Sequence, residues 1–281
     1  MMILRMLALA ACLLLSATAS GKAETGLPKE FEGLTEAQQE EAVEFIIGNA
    51  IFVLFHEAGH MLISELGIPV LGKEEDAVDT LSAIILLEPK DETLDKALTD
   101  SADGWFLSDA AAQEAGNDYA FWDEHSLDQQ RAYAMVCMMV GQDAEGFKEF
   151  ADSVDLPSDR RESCVSEYES ALESWNVLLE DALITDDSET KFDISYDEVP
   201  DGELATYAEL VKASDLLGVL QEGIGKRYKL EPGIKLHAAS CGEPNAFWDG
   251  EKRQITFCYE LAQFHAGLLA KHFADEAANA Q

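Results

Sequence analysis

Phe52-Val53-Leu54-Phe55-His56-Glu57-Ala58-Gly59-His60-Met61-Leu62 is the stretch on which the reading of this chain turns. Successive residues of an α-helix rotate by about 100°, so His56 and His60 lie on one face about 6 Å apart. Two imidazoles so placed can each aim one ring nitrogen at a single cation, and zinc accepts imidazole nitrogen in tetrahedral geometry. Glu57 stands beside the pair and need not bind the metal itself. It can take a proton from a zinc-activated water and pass it to a leaving group. Histidine is scarce, with 6 in 281 residues, so a chance pair at this spacing around a glutamate is rare. The flanking residues are uncharged, as a buried helix carrying a site requires.

Working outward, the helical pattern extends both ways. Thr35 with Gln38 resembles a capping box, and Ala42, Phe45, Ile46, Ile47 and Ala50 continue the apolar run. Gly67 and Pro69 end it, which predicts a helix over 35–67. After a short loop, 74–88 reads as a second helix, acidic at its start, where negative charge suits the helix dipole, and apolar from Leu81 onward.

An open zinc site needs a third protein ligand. Ile63 stands where the extended His-Glu-x-x-His-x-x-Gly-x-x-His pattern has glycine, so the candidates are carboxylates: Glu65, Glu74, Glu75, Asp76 and Asp79. Glu65 lies about 140° round from His60 and is expected to face away. Glu75 and Asp79 are four apart on the second helix, which the short loop lets fold back over the first. Glu75 is the favoured third ligand, with Asp76 and Asp79 as alternatives. Otherwise these two aspartates back the ligands, and Asp79, one turn past Glu75, would accept the ring N–H of a histidine and fix its tautomer.

Further helices are expected at 104–114, 127–140, 144–153, 158–183, 202–227 and 260–274, and strands near 192–196, 233–239 and 254–259. Asp249-Gly250 is a turn signal ahead of the last strand. This is a predominantly helical α+β fold with a small β-hairpin or sheet. Residues 1–23 read as a signal peptide: Arg5, an apolar run from Met6 to Leu15, then small residues, with cleavage after Ala19 or Ala23. Leu9-Ala10-Ala11-Cys12 also spells a lipoprotein-type box, a weaker reading because Leu13-Leu14-Leu15 stays apolar. Residues 24–281 then form one domain, periplasmic or secreted, with no later membrane span.

Cys137, Cys164, Cys241 and Cys258 allow three disulfide pairings. Cys137–Cys164 and Cys241–Cys258 are favoured, since each closes a short loop. Close Cys-x-x-Cys spacing for a thiolate zinc site is absent. The net charge of −36 repels nucleic acid and anionic lipid.

His56-Glu57-Ala58-Gly59-His60, followed by Gly72-Lys73-Glu74-Glu75-Asp76-Ala77-Val78-Asp79, resembles gluzincin-type peptidases, in which a Glu-x-x-x-Asp helix completes the site. The chain from Phe31 to Leu261 is similar to a bacterial family catalogued as metallopeptidases of otherwise unknown function. The shared marks are Pro69-Val70-Leu71-Gly72, Glu74-Glu75-Asp76-Ala77 with Asp79, Cys241-Gly242, Asn245-Ala246-Phe247-Trp248-Asp249 and Ile255-Thr256-Phe257-Cys258-Tyr259-Glu260-Leu261. Gly250 departs from that pattern, which has proline. The resemblance implies a zincin-like domain, a Zn2+ cofactor and peptide or protein substrates. It also likens Asn245–Phe257 to the edge hairpin beside the active helix in zincins, whose exposed strand pairs with substrate backbone. In those families the hairpin precedes the His-Glu helix; here it follows it. Tyr259 could then stabilise an oxyanion, or equally belong to the core.

His125 is expected to be exposed, His265 and His272 to share a packed helix face, and Trp105, Trp122 and Trp175 to lie in the interior. Two other functions fit the sequence: a catalytically idle zincin fold that binds or assembles envelope components, and a zinc hydrolase of a non-peptide bond.

Overall fold

The first long helix, α1 (Glu36–Leu66), begins where the capping chemistry places it. Thr35 Oγ1 accepts the Gln38 N–H at 3.3 Å, and Gln38 Oε1 accepts the Thr35 N–H at 3.1 Å. Gly67 closes the helix at a φ of 63°, which an L side chain resists. The molecule is a computed structural model that describes residues 28–279, so the signal-peptide reading and Cys12 lie outside the described residues. By length and composition α1 could cross a membrane, but its apolar surface is enclosed by the rest of the protein. A helix apolar on all sides belongs in the middle of a core.

Helix α2 (Glu74–Leu87) folds back across α1. Gly59 permits the approach: a Cβ there would lie 2.7 Å from Val78 Cβ. Val78 sits between Glu75 and Asp79 on α2, so the missing side chain sets how near those carboxylates come to α1. Helix α3 (Glu92–Glu114) starts well before the expected 104, capped by Asp91, which accepts the N–H groups of Thr93 and Leu94. Its early turns carry Asp95, Lys96, Asp100 and Asp103 on one side and a buried stripe of Leu94, Ala97, Leu98 and Ala102 on the other, a helical pattern the sequence reading passed over. Tertiary bonds hold them: Asn49 Nδ2 donates to the Asp100 carbonyl at 3.0 Å, and Ser101 Oγ to that of Gly48.

Helices α4 (Asp128–Gln142), α5 (Lys148–Ser153) and α6 (Ser158–Leu179) complete the helical side. The Cys137–Cys164 disulfide joins α4 to α6. The remainder comprises β1 (Asp193–Tyr196), α7 (Glu203–Ala213), α8 (Leu216–Leu220), β2 (Lys235–Ala239), β3 (Ala246–Asp249), β4 (Gln254–Cys258) and α9 (Tyr259–Asn279). The single helix expected over 202–227 is broken. Asp215 takes a φ of 50°, the chain restarts as α8, and a π-helical turn follows at Gln221–Gly225. The break re-aims the helix so that Leu216, Leu217, Val219 and Leu220 are all buried.

The sheet order is β1-β2-β4-β3. β1 and β4 run parallel to β2, and β3 is antiparallel to β4, which leaves β3 as an edge strand. The Cys241–Cys258 disulfide fastens the loop before β3 to the end of β4, and Glu260 accepts the N–H groups of Cys241 and Gly242. Closing loops of 17 and 27 residues, the disulfides each contribute about 3 kcal/mol in the chain-entropy account. Such bonds persist in oxidising compartments. The fold is therefore the predominantly helical α+β type expected, with one small sheet.

His265, on α9, is buried with its ring edge toward Phe45. Burial pushes its pKa down from 6.5 to about 4. In the unfolded chain it protonates below about 6.5, in the folded protein only near 4, so its contribution to stability is lost as pH falls through that window. The loss reaches about 3 kcal/mol below pH 4, at 1.36 kcal/mol per pKa unit. Chemical denaturation from pH 7.5 to 4.5 is expected to show a steeper decline for the wild type than for His265→Phe. Parallel curves would contradict this.

Candidate metal centre

The crossing of α1 and α2 brings His56, His60 and Glu75 together, with one ligand atom from each lying within 4.8 Å of the others. The two Nε2 atoms face each other at 3.3 Å. Glu75 Oε2 lies 3.1 Å from His56 Nε2, and Oε1 lies 3.4 Å from His60 Nε2. The opposite ring nitrogens are taken: His56 Nδ1 is 2.7 Å from Asp79 Oδ1, and His60 Nδ1 is 2.8 Å from Glu74 Oε1. Two acceptors on the outer nitrogens fix the tautomers that leave both Nε2 lone pairs pointing inward. Ligands 2.0–2.1 Å from one tetrahedral ion stand about 3.3 Å apart, so the donor set fits zinc in type and spacing.

The charges reinforce one another. Burial opposes protonation of His56, yet hydrogen bonds to Asp79 and Glu75 outweigh it and raise its pKa. For His60 burial is likewise outweighed, here by Glu75 and Glu74, and the pKa rises to about 9. Burial alone would raise Glu75, but His125, His56 and His60 hold it well below the usual carboxylate range. Asp79 is held down at about 2 against its burial, chiefly by Arg131. Arg131 donates to both Asp79 oxygens, at 2.7 and 2.8 Å, and its guanidinium stacks 3.8 Å above the Trp105 ring.

Glu57 is buried one residue along α1 from His56. Burial raises its pKa, opposed by His56, His60 and the backbone N–H of Trp248 in β3. That contact shows where the hairpin lies: its edge strand crosses α1 at the level of Glu57. Arg253, in the hairpin turn, anchors it further by pairing with both oxygens of Glu65. Glu65 thus faces away from the histidines, as its angular position predicts.

Two openings meet at this point. A cleft of about 740 Å³ is bordered by His56, Glu57, His60, Glu75, Phe247 and Trp248. A smaller cavity of about 220 Å³ lies toward the N-terminal side of α1. His56, Glu57, His125, Asn245 and Ala246 border both.

Other expectations need correction. The Tyr259 hydroxyl lies within 2.7 Å of the Asp197 carbonyl and 2.9 Å of that of Ala238, buried at the sheet and outside both openings. The tight β4–α9 junction turns its ring inward, so it offers nothing to an oxyanion. Asp76 is exposed on the outer face of α2, about 100° from Glu75, and does not touch the histidines. Trp122 is 85% exposed instead of interior.

Two participants were not found from sequence. His125 is exposed, as expected, yet its Nε2 reaches Glu75 Oε2 at 3.1 Å while Nδ1 faces Asp123. Lys73 steadies this loop by donating to the Asp123 and His125 carbonyls. Arg131 is the other. It shares a helix face with Met135 and Met138, and a lone cation in such a stripe requires an acid partner. No local pattern announces His125.

A family model described as "Putative metallopeptidase" matches residues 24–179 and 196–281. No curated protein and no solved structure matches the chain.

Proposed function

Because the chain belongs to this "Putative metallopeptidase" family, we propose that His56, His60 and Glu75 hold one zinc ion and that the site hydrolyses peptide bonds with Glu57 as the base. The supporting observation is the donor set itself: two Nε2 atoms 3.3 Å apart beside one carboxylate, with each outer nitrogen already engaged. Zinc held there supplies Lewis acidity, which acidifies water toward a pKa of about 7 and polarises a carbonyl.

The remaining work belongs to this chain's residues. Glu57 receives the proton of the attacking water and delivers it to the leaving amine, its carboxylate held by the Trp248 N–H. Asp79 and Glu74 orient the two imidazoles, and His125 steadies Glu75. β3 is an edge strand beside Glu57, and an extended peptide adding there would pair with its outward carbonyls, since the outward N–H groups of Ala246 and Trp248 are held by Asn245 Oδ1 and Glu57. The reversed chain order of hairpin and helix is no obstacle, since the contact is made in space. Glu57 also weighs against an idle binding scaffold, which has no use for a base there.

The two disulfides and the signal-like 1–23 segment support a periplasmic or secreted location, and the continuous core supports reading 24–281 as one unit. Metal analysis tests the site. The purified mature protein is expected to hold about one zinc per chain, lost in His56→Ala and kept in Glu57→Gln. Absence of zinc from the wild type after incubation with the metal, or its retention in His56→Ala, would overturn the assignment.

A further inference from the structure

Tyr119, Phe121 and Trp122 stand on the irregular segment 115–127 between α3 and α4. Phe121 is 77% exposed and Trp122 85%, and the rings of Tyr119 and Phe121 lie 5.8 Å apart. Leu71, 99% exposed, projects from the loop that joins α1 to α2. The two loops are tied together, because Lys73 donates to the carbonyls of Asp123 and His125. Single apolar residues at a surface are ordinary, but four large ones on two joined loops make a patch, and patches mark contact sites. This patch adjoins the cleft at the metal centre. Glu124 and His125, next along the segment, border that cleft, and so does Glu74, three residues past Leu71.

Charge decides what covers the patch. Asp118, Asp123 and Glu124 flank the aromatic residues in sequence. Among the described residues that border the cleft there is no lysine or arginine. The neighbouring cations are engaged: Lys73 with the two carbonyls, Arg253 with Glu65, and His125 with Glu75 and Asp123. The chain as a whole carries −36. A bilayer is a poor occupant. Surfaces that enter one carry Lys or Arg at their edges, whereas sinking Trp122 would draw Asp123 and Glu124 toward hydrocarbon. A basic side chain suits both halves of the patch. Its charged head lies over an aromatic face and pairs with a carboxylate, while its methylene stem covers apolar surface.

We propose that Leu71 and the 119–124 segment form a docking surface for a basic, extended stretch of a polypeptide substrate, holding lysine or arginine beside the cleft. This deepens the metallopeptidase reading and rests on it for the fate of the bound chain, though not for the docking itself. Arginine and lysine both qualify, since each has an apolar stem and a cationic head. Acidic stretches are repelled, and neutral ones gain only the apolar contact.

Calorimetric titration of Glu57→Gln protein, incubated with zinc, tests the docking without turnover. The probes are blocked peptides of four Ala-Lys-Ser repeats and their counterparts with Gln or Glu in place of Lys. At about 20 mM salt the lysine peptide is expected to bind about tenfold tighter than the glutamine peptide, an advantage that shrinks severalfold at about 0.3 M. The glutamate peptide is expected not to bind. Trp122→Ala and Phe121→Ala are each expected to weaken the lysine peptide about two- to fivefold, as loss of an exposed cation–π contact does. Glu124→Gln is expected to narrow the lysine-over-glutamine ratio by a similar factor. These side chains are exposed, so melting temperatures are expected to match the parent. Val177→Ala, which trims another exposed apolar residue, on α6, is expected to leave the titrations unchanged.

Equal binding of the three peptides, a lysine titration unchanged in the Phe121→Ala/Trp122→Ala double variant, or an equal loss in Val177→Ala would each overturn the proposal. So would capture by phosphatidylcholine vesicles that the double variant abolishes, with no preference among the peptides, which would assign the patch to a membrane. Zinc content of the same samples separates the two ideas. Charge preference without zinc refutes the metal reading and leaves the docking surface standing, whereas zinc without charge preference does the reverse.

Discussion

Glu57→Gln is expected to lower peptide cleavage by about 10²–10⁴-fold while leaving zinc content and thermal stability close to wild type. The size follows from what the substitution removes. Glutamine keeps the shape and the carbonyl oxygen that accepts the Trp248 N–H, but it cannot take up a proton. Glu57 is buried and is not one of the three converging donors, so its loss should spare metal affinity. Neutralising a buried carboxylate whose pKa burial raises costs the fold little. The loss should therefore fall on kcat with KM little changed, because the proton transfer belongs to the transition state and not to substrate binding. Single-turnover cleavage of a fluorogenic peptide pool measures it. Undiminished turnover in the variant would remove Glu57 from the chemistry and return the zinc-hydrolase reading to a different base.

What could be read from sequence divides along a physical line. The α1–α2 crossing was legible because its determinants are local: a helical apolar run, a Thr35–Gln38 cap, a terminating Gly67, and two acids one turn apart after a short loop. Helix geometry put Glu75 and Asp79 on one face and favoured Glu75 while leaving Asp76 and Asp79 open as the third ligand. The start of α3 was missed although Asp91 caps it and Leu94, Ala97, Leu98 and Ala102 form a stripe; the polar contacts of Asn49, Ser101 and Asp100 that fix it against α1 join segments some fifty residues apart and carry no local signal. His125 reaches the site from an irregular loop, and its place depends on Lys73 gripping the carbonyls around it. For Tyr259 the sequence left the cleft and the core both open, since it follows a hairpin strand; the hydroxyl's bonds to the Asp197 and Ala238 carbonyls place it in the core. Gly59 carried a signal that went unused: in His-Glu-Ala-Gly-His it marks where the second helix must touch the first.

The network behind His56 leads to the other large effect. Asp79→Ala is expected to destabilise the metal-free protein by about 3–5 kcal/mol, as loss of one partner from a buried ion pair does. Arg131 is 8% exposed and directs two bonds at Asp79, so removing the acid leaves a desolvated cation with the Trp105 face and only the unbonded charges of Glu75 and Asp128 to oppose it. Arg131→Met is expected to cost less, because Asp79 still accepts from His56 and a methionine fits the stripe of Met135 and Met138. The double variant should then recover much of the loss, since neither charge remains to be desolvated. That recovery would appear as strong non-additivity in a double-mutant cycle measured by urea denaturation. Zinc affinity should behave otherwise. It falls about 10–100-fold wherever Asp79 is absent, because the His56 ring loses the acceptor that fixes its tautomer, and restoring stability does not restore that acceptor. Stability that adds without coupling, or zinc affinity that recovers in the double variant, would show that Asp79 serves the helix packing alone and that the imidazole is oriented by something else.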